Sequence, residues 1–252
     1  MTYIMKKFIY PLLLTIITVL LTAGISRAQF EGRILYDSYE IDASGARQKG
    51  DQFTMHITPE RILLQGENRY SFVGSIQTEG VLVRLDYEDF IFLTGSAEVL
   101  KISKADIVAM MNMFGGGNGE DIEPDVNYRH TGENKTIKGY RCEKFVFTDK
   151  ENPAYTSEIW MTKGVNINWG MLAEPWGDKT EKMLGEDIPF KLIFEEGYLP
   201  LVVESYDNGN LTSIMEATEI SETSIAKALV QIPSGVKMLS FQDYLFRKMS
   251  QN

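Results

Sequence analysis

Few residues in this chain are of the types that carry out chemistry, and their spacing argues against most enzyme classes. It has two histidines, His56 and His130, each inside an apparent strand and neither beside an acid at metal-ligand spacing. Hydrolytic triads and zinc sites draw heavily on histidine. H-E-x-x-H, paired Cys-x-x-Cys and Gly-x-Ser-x-Gly are all missing, so both histidines read as structural or surface residues. Cys142 is the one cysteine. That rules out an intramolecular disulfide, and a free cysteine more often packs as a small apolar side chain than acts as a nucleophile. Glu120, Asp121, Glu123 and Asp125 could offer oxygens to calcium, but they lack the D-x-D-x-D-G loop pattern and read as a solvated acidic loop. No Lys-Ser or Lys-Thr follows Gly115 to Gly119, so that run is no phosphate cradle. The expectation is a protein that is not an enzyme and needs neither metal nor cofactor.

What remains is apolar. Met110, Met111 and Phe114, with Trp169 and Trp176, would supply deformable and aromatic surface suited to an acyl chain or a partner's apolar segment. The competing reading of the same residues is ordinary core filling. They are the candidate ligand-binding residues.

The elements that would position them are mostly strands. Two-residue alternation recurs from Phe30 to Ser221. Phe53, Met55 and Ile57 alternate, Pro59-Glu60 turns, and Ile62 to Leu64 returns to a stop at Gly66, with a separate short strand over 70–73. Further strands are expected from Val81 to Leu85, from Phe90 to Leu93 after a Glu88-Asp89 turn, and at 99–102, 126–130, 140–148, 156–161, 190–194, 201–206 and 211–219. Asp207-Asn208-Gly209-Asn210 is a strong hairpin turn. Two helices announce themselves by capping boxes: Ser103 with Asp106, ahead of Ile107, Met110, Met111 and Phe114, and Ser240 with Asp243, ahead of Phe241, Tyr244, Leu245 and Met249. Residues 164–187 lack a clean period and read as a long apolar connection, either a binding loop or packing against the sheet.

Export is written into the first 28 residues. Lys6 and Lys7 precede an uncharged run from Phe8 to Ile25, and Ser26-Arg27-Ala28 presents small residues for cleavage, leaving a single domain over 29–252. No stable membrane span is expected after cleavage, and the mature protein belongs in the periplasm or outside the cell. The signal holds Lys6, Lys7 and Arg27 and no acid, so losing it takes the formal charge from −10 to −13. That balance repels phosphate backbones and makes nucleic acid an unsuitable partner.

The strings Lys135-Thr136-Ile137-Lys138-Gly139-Tyr140-Arg141-Cys142-Glu143-Lys144, Trp160-Met161-Thr162 and Leu229-Val230-Gln231-Ile232-Pro233-Ser234-Gly235-Val236 resemble the motifs of an uncharacterised exported bacterial domain-of-unknown-function family with a Gly-Tyr-x-Cys strand. That family is similar in layout to the outer-membrane lipoprotein carriers. The resemblance implies a mainly β, α+β fold: a curved antiparallel sheet forming an incomplete barrel, with helices on its concave side. It also implies a periplasmic or cell-envelope protein holding a lipid or other apolar ligand between sheet and helices. The alternative is an interaction module that meets an envelope protein and has no ligand cavity.

Overall fold

A computed structural model describes residues 28–72, 76–107, 109, 126–174 and 191–249. Alternating side chains give strands β1 (Gly32–Ile41), β2 (Arg47–Ile57), β3 (Arg61–Phe72), β4 (Ile76–Arg84), β5 (Asp89–Leu93) and β6 (Glu98–Ser103). The second half of the chain adds β7 (Val126–Ile137), β8 (Tyr140–Asp149), β9 (Tyr155–Thr162), β10 (Leu199–Asp207), β11 (Asn210–Glu222) and β12 (Lys237–Ser240), then helix α1 (Phe241–Met249). All twelve form one sheet in the order β12-β6-β5-β4-β3-β2-β1-β11-β10-β9-β8-β7. The sheet is curved and open, and its two edge strands do not meet. Two meanders, β1–β6 and β7–β11, join where β1 pairs antiparallel with β11, placing Ile34 opposite Ile220. No helix among the described residues is long and apolar enough to cross a membrane.

Turn chemistry sets the hairpins. Lys138-Gly139 and Asn208-Gly209 hold φ of 50° and 85°, and of 51° and 76°. Two consecutive positive φ values match the twist of the flanking strands, and glycine at the second position adopts them without steric cost.

Successive side chains on a strand point to opposite faces, and here both faces bury apolar residues. One, the core face, carries Ile34, Tyr36, Met55, Ile57, Ile62, Val81, Val83, Phe92, Leu100, Ile102, Phe145, Ile159 and Met161. The back face carries a smaller cluster of Leu63, Leu82, Ile91 and Val99, covered by Val230, Ile225, Ile232 and Val236 from the segment that leads to β12. Arg61 pins that segment by donating from Nη1 to the Val230 carbonyl at 3.0 Å.

Four expectations from the sequence need correction. Residues 70–72 are no separate strand: they continue β3 past an irregularity between Gln65 and Tyr70 that shifts its pairing with β4. The strand from Val126 runs on beyond His130 to Ile137, because a bulge between His130 and Asn134 restores its pairing with β8. Residues 191–195 form a π-helical turn, Lys191–Glu195, in place of a strand, burying Leu192 and Ile193 on one side. The sheet is not wholly antiparallel, since β12, unforeseen in the sequence, pairs parallel with β6. Both capping boxes form. Asp106 N donates to Ser103 Oγ at 3.1 Å and Ser103 N to Asp106 Oδ2 at 2.8 Å. Asp243 N likewise donates to Ser240 Oγ at 3.1 Å.

Candidate functional site

Among the described residues the core face is covered by irregular chain and not by a second sheet. Beyond β9, Phe30 N donates to the Asn166 carbonyl at 2.7 Å and Asn168 Nδ2 to the Pro59 carbonyl at 2.7 Å. These bonds lay the segment across the strand ends. Val165, Ile167 and Trp169 then point inward and are buried. A single 3-10 turn, Gly170–Ala173, follows and buries Met171. Gly170 sits at φ 46° with the Leu85 side chain against it: a Cβ there would stand 3.1 Å from Leu85 Cδ2, so a larger residue would meet both backbone strain and a neighbour. The second limb of this roof is the π-helical turn and Tyr198, whose N–H donates to the Leu192 carbonyl at 2.9 Å. The limbs meet where Trp169 stands edge-on to Phe194, with ring centroids 4.9 Å apart at 80°. An ion pair between Lys104 and Glu174 ties the roof to the helical turn that begins at residue 104.

From the roof an aromatic run leads across the core face to the edge strand β7. Tyr198 meets Phe145 edge-on at 5.1 Å, His130 stacks on Phe145 at 4.8 Å, and Tyr128 stacks on Phe147 at 5.5 Å. Burial rises inward: Tyr128 is 50% exposed, while Phe145 is 3% exposed. Two polar groups of the run converge on one carboxylate. Tyr198 Oη donates to Glu143 Oε2 at 2.8 Å, and His130 Nε2 lies 3.3 Å from the same oxygen. Burial, and then the Glu143 carboxylate, push the Tyr198 phenol up to about 12. Further in, Tyr36 is buried against Phe53 at 4.8 Å and donates to the Pro200 carbonyl at 2.9 Å; burial raises its pKa strongly.

Of the residues singled out in the sequence, Trp169 lies at the joint of the roof and is buried. Met110, Met111, Phe114 and Trp176 lie outside the described residues. Cys142 is fully buried, and its surroundings push the thiol up, away from the thiolate a nucleophile requires. His56 is kept towards its neutral form by burial and then by the Arg33 charge. Among the described residues no group of three or more His, Cys, Asp or Glu is placed to hold a metal ion. Sequence reasoning missed Tyr128, Glu143, Phe145, Phe194 and Tyr198. Strand register and the path of the roof bring them together, and the one signal on offer was the share of aromatic residues between Tyr128 and Phe147.

The chain resembles several solved structures at low identity. One is PNGF-II, at 16% identity and TM-score 0.49, covering 88% of this chain and 33% of that one. The chain thus spans about a third of that protein's length. Another is the Pseudomonas aeruginosa MucA/MucB complex, at 10% identity and TM-score 0.39, covering 82% of this chain and 58% of that one. A LolA superfamily protein from Nitrosomonas europaea, NE2245, gives 8% identity and TM-score 0.27, covering 81% of this chain and 91% of that one. Among curated proteins, none matches the sequence. The family model for the domain of unknown function DUF4412 matches residues 106–236, which take in β7 to β11, the roof and the segment covering the back face, and the chain belongs to that family.

Proposed function

We propose that this is a non-enzymatic cell-envelope protein that holds a lipid or other apolar ligand against the core face of its sheet. In this reading residues 1–28 direct export, and 29–252 form one domain whose helices, opening at Ser103 and Ser240, lie on the concave side. Met110, Met111, Phe114, Trp169 and Trp176 line the ligand. One observation carries the reading: the apolar core face is closed by two irregular limbs that meet at Trp169 and Phe194. A second sheet would be locked by a ladder of backbone hydrogen bonds. Irregular limbs of this kind can part at lower cost, and low local stability is where ligand-binding segments are drawn from.

The test is native mass spectrometry with lipid extraction on mature protein taken from the cell envelope without detergent. A stoichiometric lipid, lost in a folded Met111→Asp variant, is the expected result. A ligand-free protein that also takes up no fluorescent fatty acid would sink the proposal and favour an interaction module. The observation on the side of that second reading is that β7 is an edge strand among the described residues, and Tyr128 on it is half exposed.

A further inference from the structure

We propose that the tip of the β7–β8 hairpin docks on an anionic lipid surface through Lys135, Lys138, Arg141 and Lys163. Residues 134–142 hold three cations and no acid, in a chain whose formal charge is −10. The positive-φ turn at Lys138-Gly139 forces the strands to reverse there, so the three residues lie at one corner of the sheet, Lys135 and Arg141 on opposite faces of the hairpin with Lys138 at its tip. Lys163 is brought alongside from β9: the neighbouring Thr162 hydroxyl donates to the Arg141 carbonyl at 2.8 Å, and Gly164 lies against the Tyr140 ring. All four cations are exposed.

Their charge is largely uncompensated. Lys144, further down the hairpin, is held by Glu158 at 2.7 Å and Glu133 at 3.9 Å. Lys163 has Glu196 at 3.6 Å. Among the described residues no carboxylate lies within salt-bridge distance of Lys135, Lys138 or Arg141. Lys135 instead stands 3.9 Å over the Trp160 ring, and Arg141 Nε donates to Asn134 Oδ1 at 3.2 Å. Neither contact neutralises a cation.

The shape of this corner selects the partner. An acidic protein would need an apolar anchor point at the centre of its contact, whereas Ile137 and Tyr140 are half buried and Cys142 fully so. A leaflet of anionic headgroups attracts clustered Lys and Arg without requiring a matching shape. The acidic remainder of the molecule repels such a surface, but that repulsion is screened beyond roughly 8 Å at physiological ionic strength. The molecule therefore approaches with this corner first.

The experiment is co-sedimentation of mature protein with vesicles of phosphatidylcholine alone, or with about 30% phosphatidylglycerol, at about 0.05 M and about 0.5 M salt. Binding is expected only to the anionic vesicles, and only at low salt. Lys138→Glu with Arg141→Glu should weaken it by about 25-fold or more, at roughly fivefold per basic residue lost. Lys227→Glu, an exposed cation away from the hairpin, should leave it unchanged, and circular dichroism should show all variants folded. Equal binding to both vesicles, no binding, or an equal loss in Lys227→Glu would overturn the proposal. Lipid occupancy of the core face is a separate readout, so failure here leaves the ligand proposal standing.

Discussion

The Tyr198 hydroxyl donates to Glu143 Oε2 at 2.8 Å, so one limb of the roof is bonded to strand β8 at the carboxylate that His130 also approaches. Hydrogen bonds to charged groups contribute about 1.5–3 kcal/mol. Glu143 is one-third exposed, which screens the interaction, so Tyr198→Phe should cost about 1 kcal/mol in urea unfolding. The phenol titrates near 12 in the folded protein, above its ordinary 10. Between those values the unfolded chain has lost a proton that the folded chain keeps. Stability should therefore fall as pH rises from 10 towards 12, and this fall should be shallower in Tyr198→Phe.

Asp89 is wholly buried and bridges Arg84 through two bonds, from Nε at 2.7 Å and Nη2 at 2.5 Å, with Lys101 at 3.4 Å. Removing it strands a nearly buried guanidinium. Asp89→Ala should cost about 3–5 kcal/mol, while an Arg84→Met, Asp89→Leu pair of similar volume should recover most of that loss. Thermal or urea unfolding of the two variants checks this; equal losses in both would contradict it.

The back-face cluster is expected to matter for stability despite its size. Leu63→Ala and Ile91→Ala, at positions 2% and 0% exposed, should each cost about 2–5 kcal/mol. Costs below about 1 kcal/mol in both would mean the covering segment around Val230 collapses to fill the space.

Asp42 organises the β1–β2 turn. The Ser44 hydroxyl donates to it at 2.5 Å, Ala46 N at 3.0 Å, Gln48 Nε2 at 3.1 Å and Ser44 N at 2.8 Å. Those bonds, led by the Ser44 hydroxyl, lower its pKa to about 2. The carboxylate should stay largely ionised at pH 3 in the folded chain, while the stability it contributes should fall progressively as pH drops from 3.8 and be gone below about 2. An NMR titration of the carboxyl with a midpoint near 4 would refute this.

What the sequence made legible was local. Alternation located most of the strands, and serine three residues ahead of aspartate located both helix starts, because each signal depends on neighbours within a turn or two. Lys237–Ser240 was missed because a four-residue strand carries too little pattern, and its pairing with β6 is decided by a chain crossing the back face. Lys191–Glu195 was misread because three apolar residues in succession fit a buried strand as well as a π-helical turn. Glu88-Asp89 looked like a turn from composition. Glu88 does adopt φ 51°, but Asp89 enters β5 and the sheet interior because Arg84 stands ready to pair with it. The aromatic run was illegible for a different reason: the meeting of Tyr198 with Phe145 is settled by where β10 lies, not by anything near either residue.

The seam between β1 and β11 also bears on the order of biogenesis. As the chain folds, the first meander can assemble from contacts close in sequence, but it must wait with the edge of β1 uncovered until the last hairpin, β10–β11, arrives. An open strand edge invites pairing with other chains. The interval before β11 docks is thus when a newly made molecule is most exposed to aggregation, and when a holding chaperone would prolong its life.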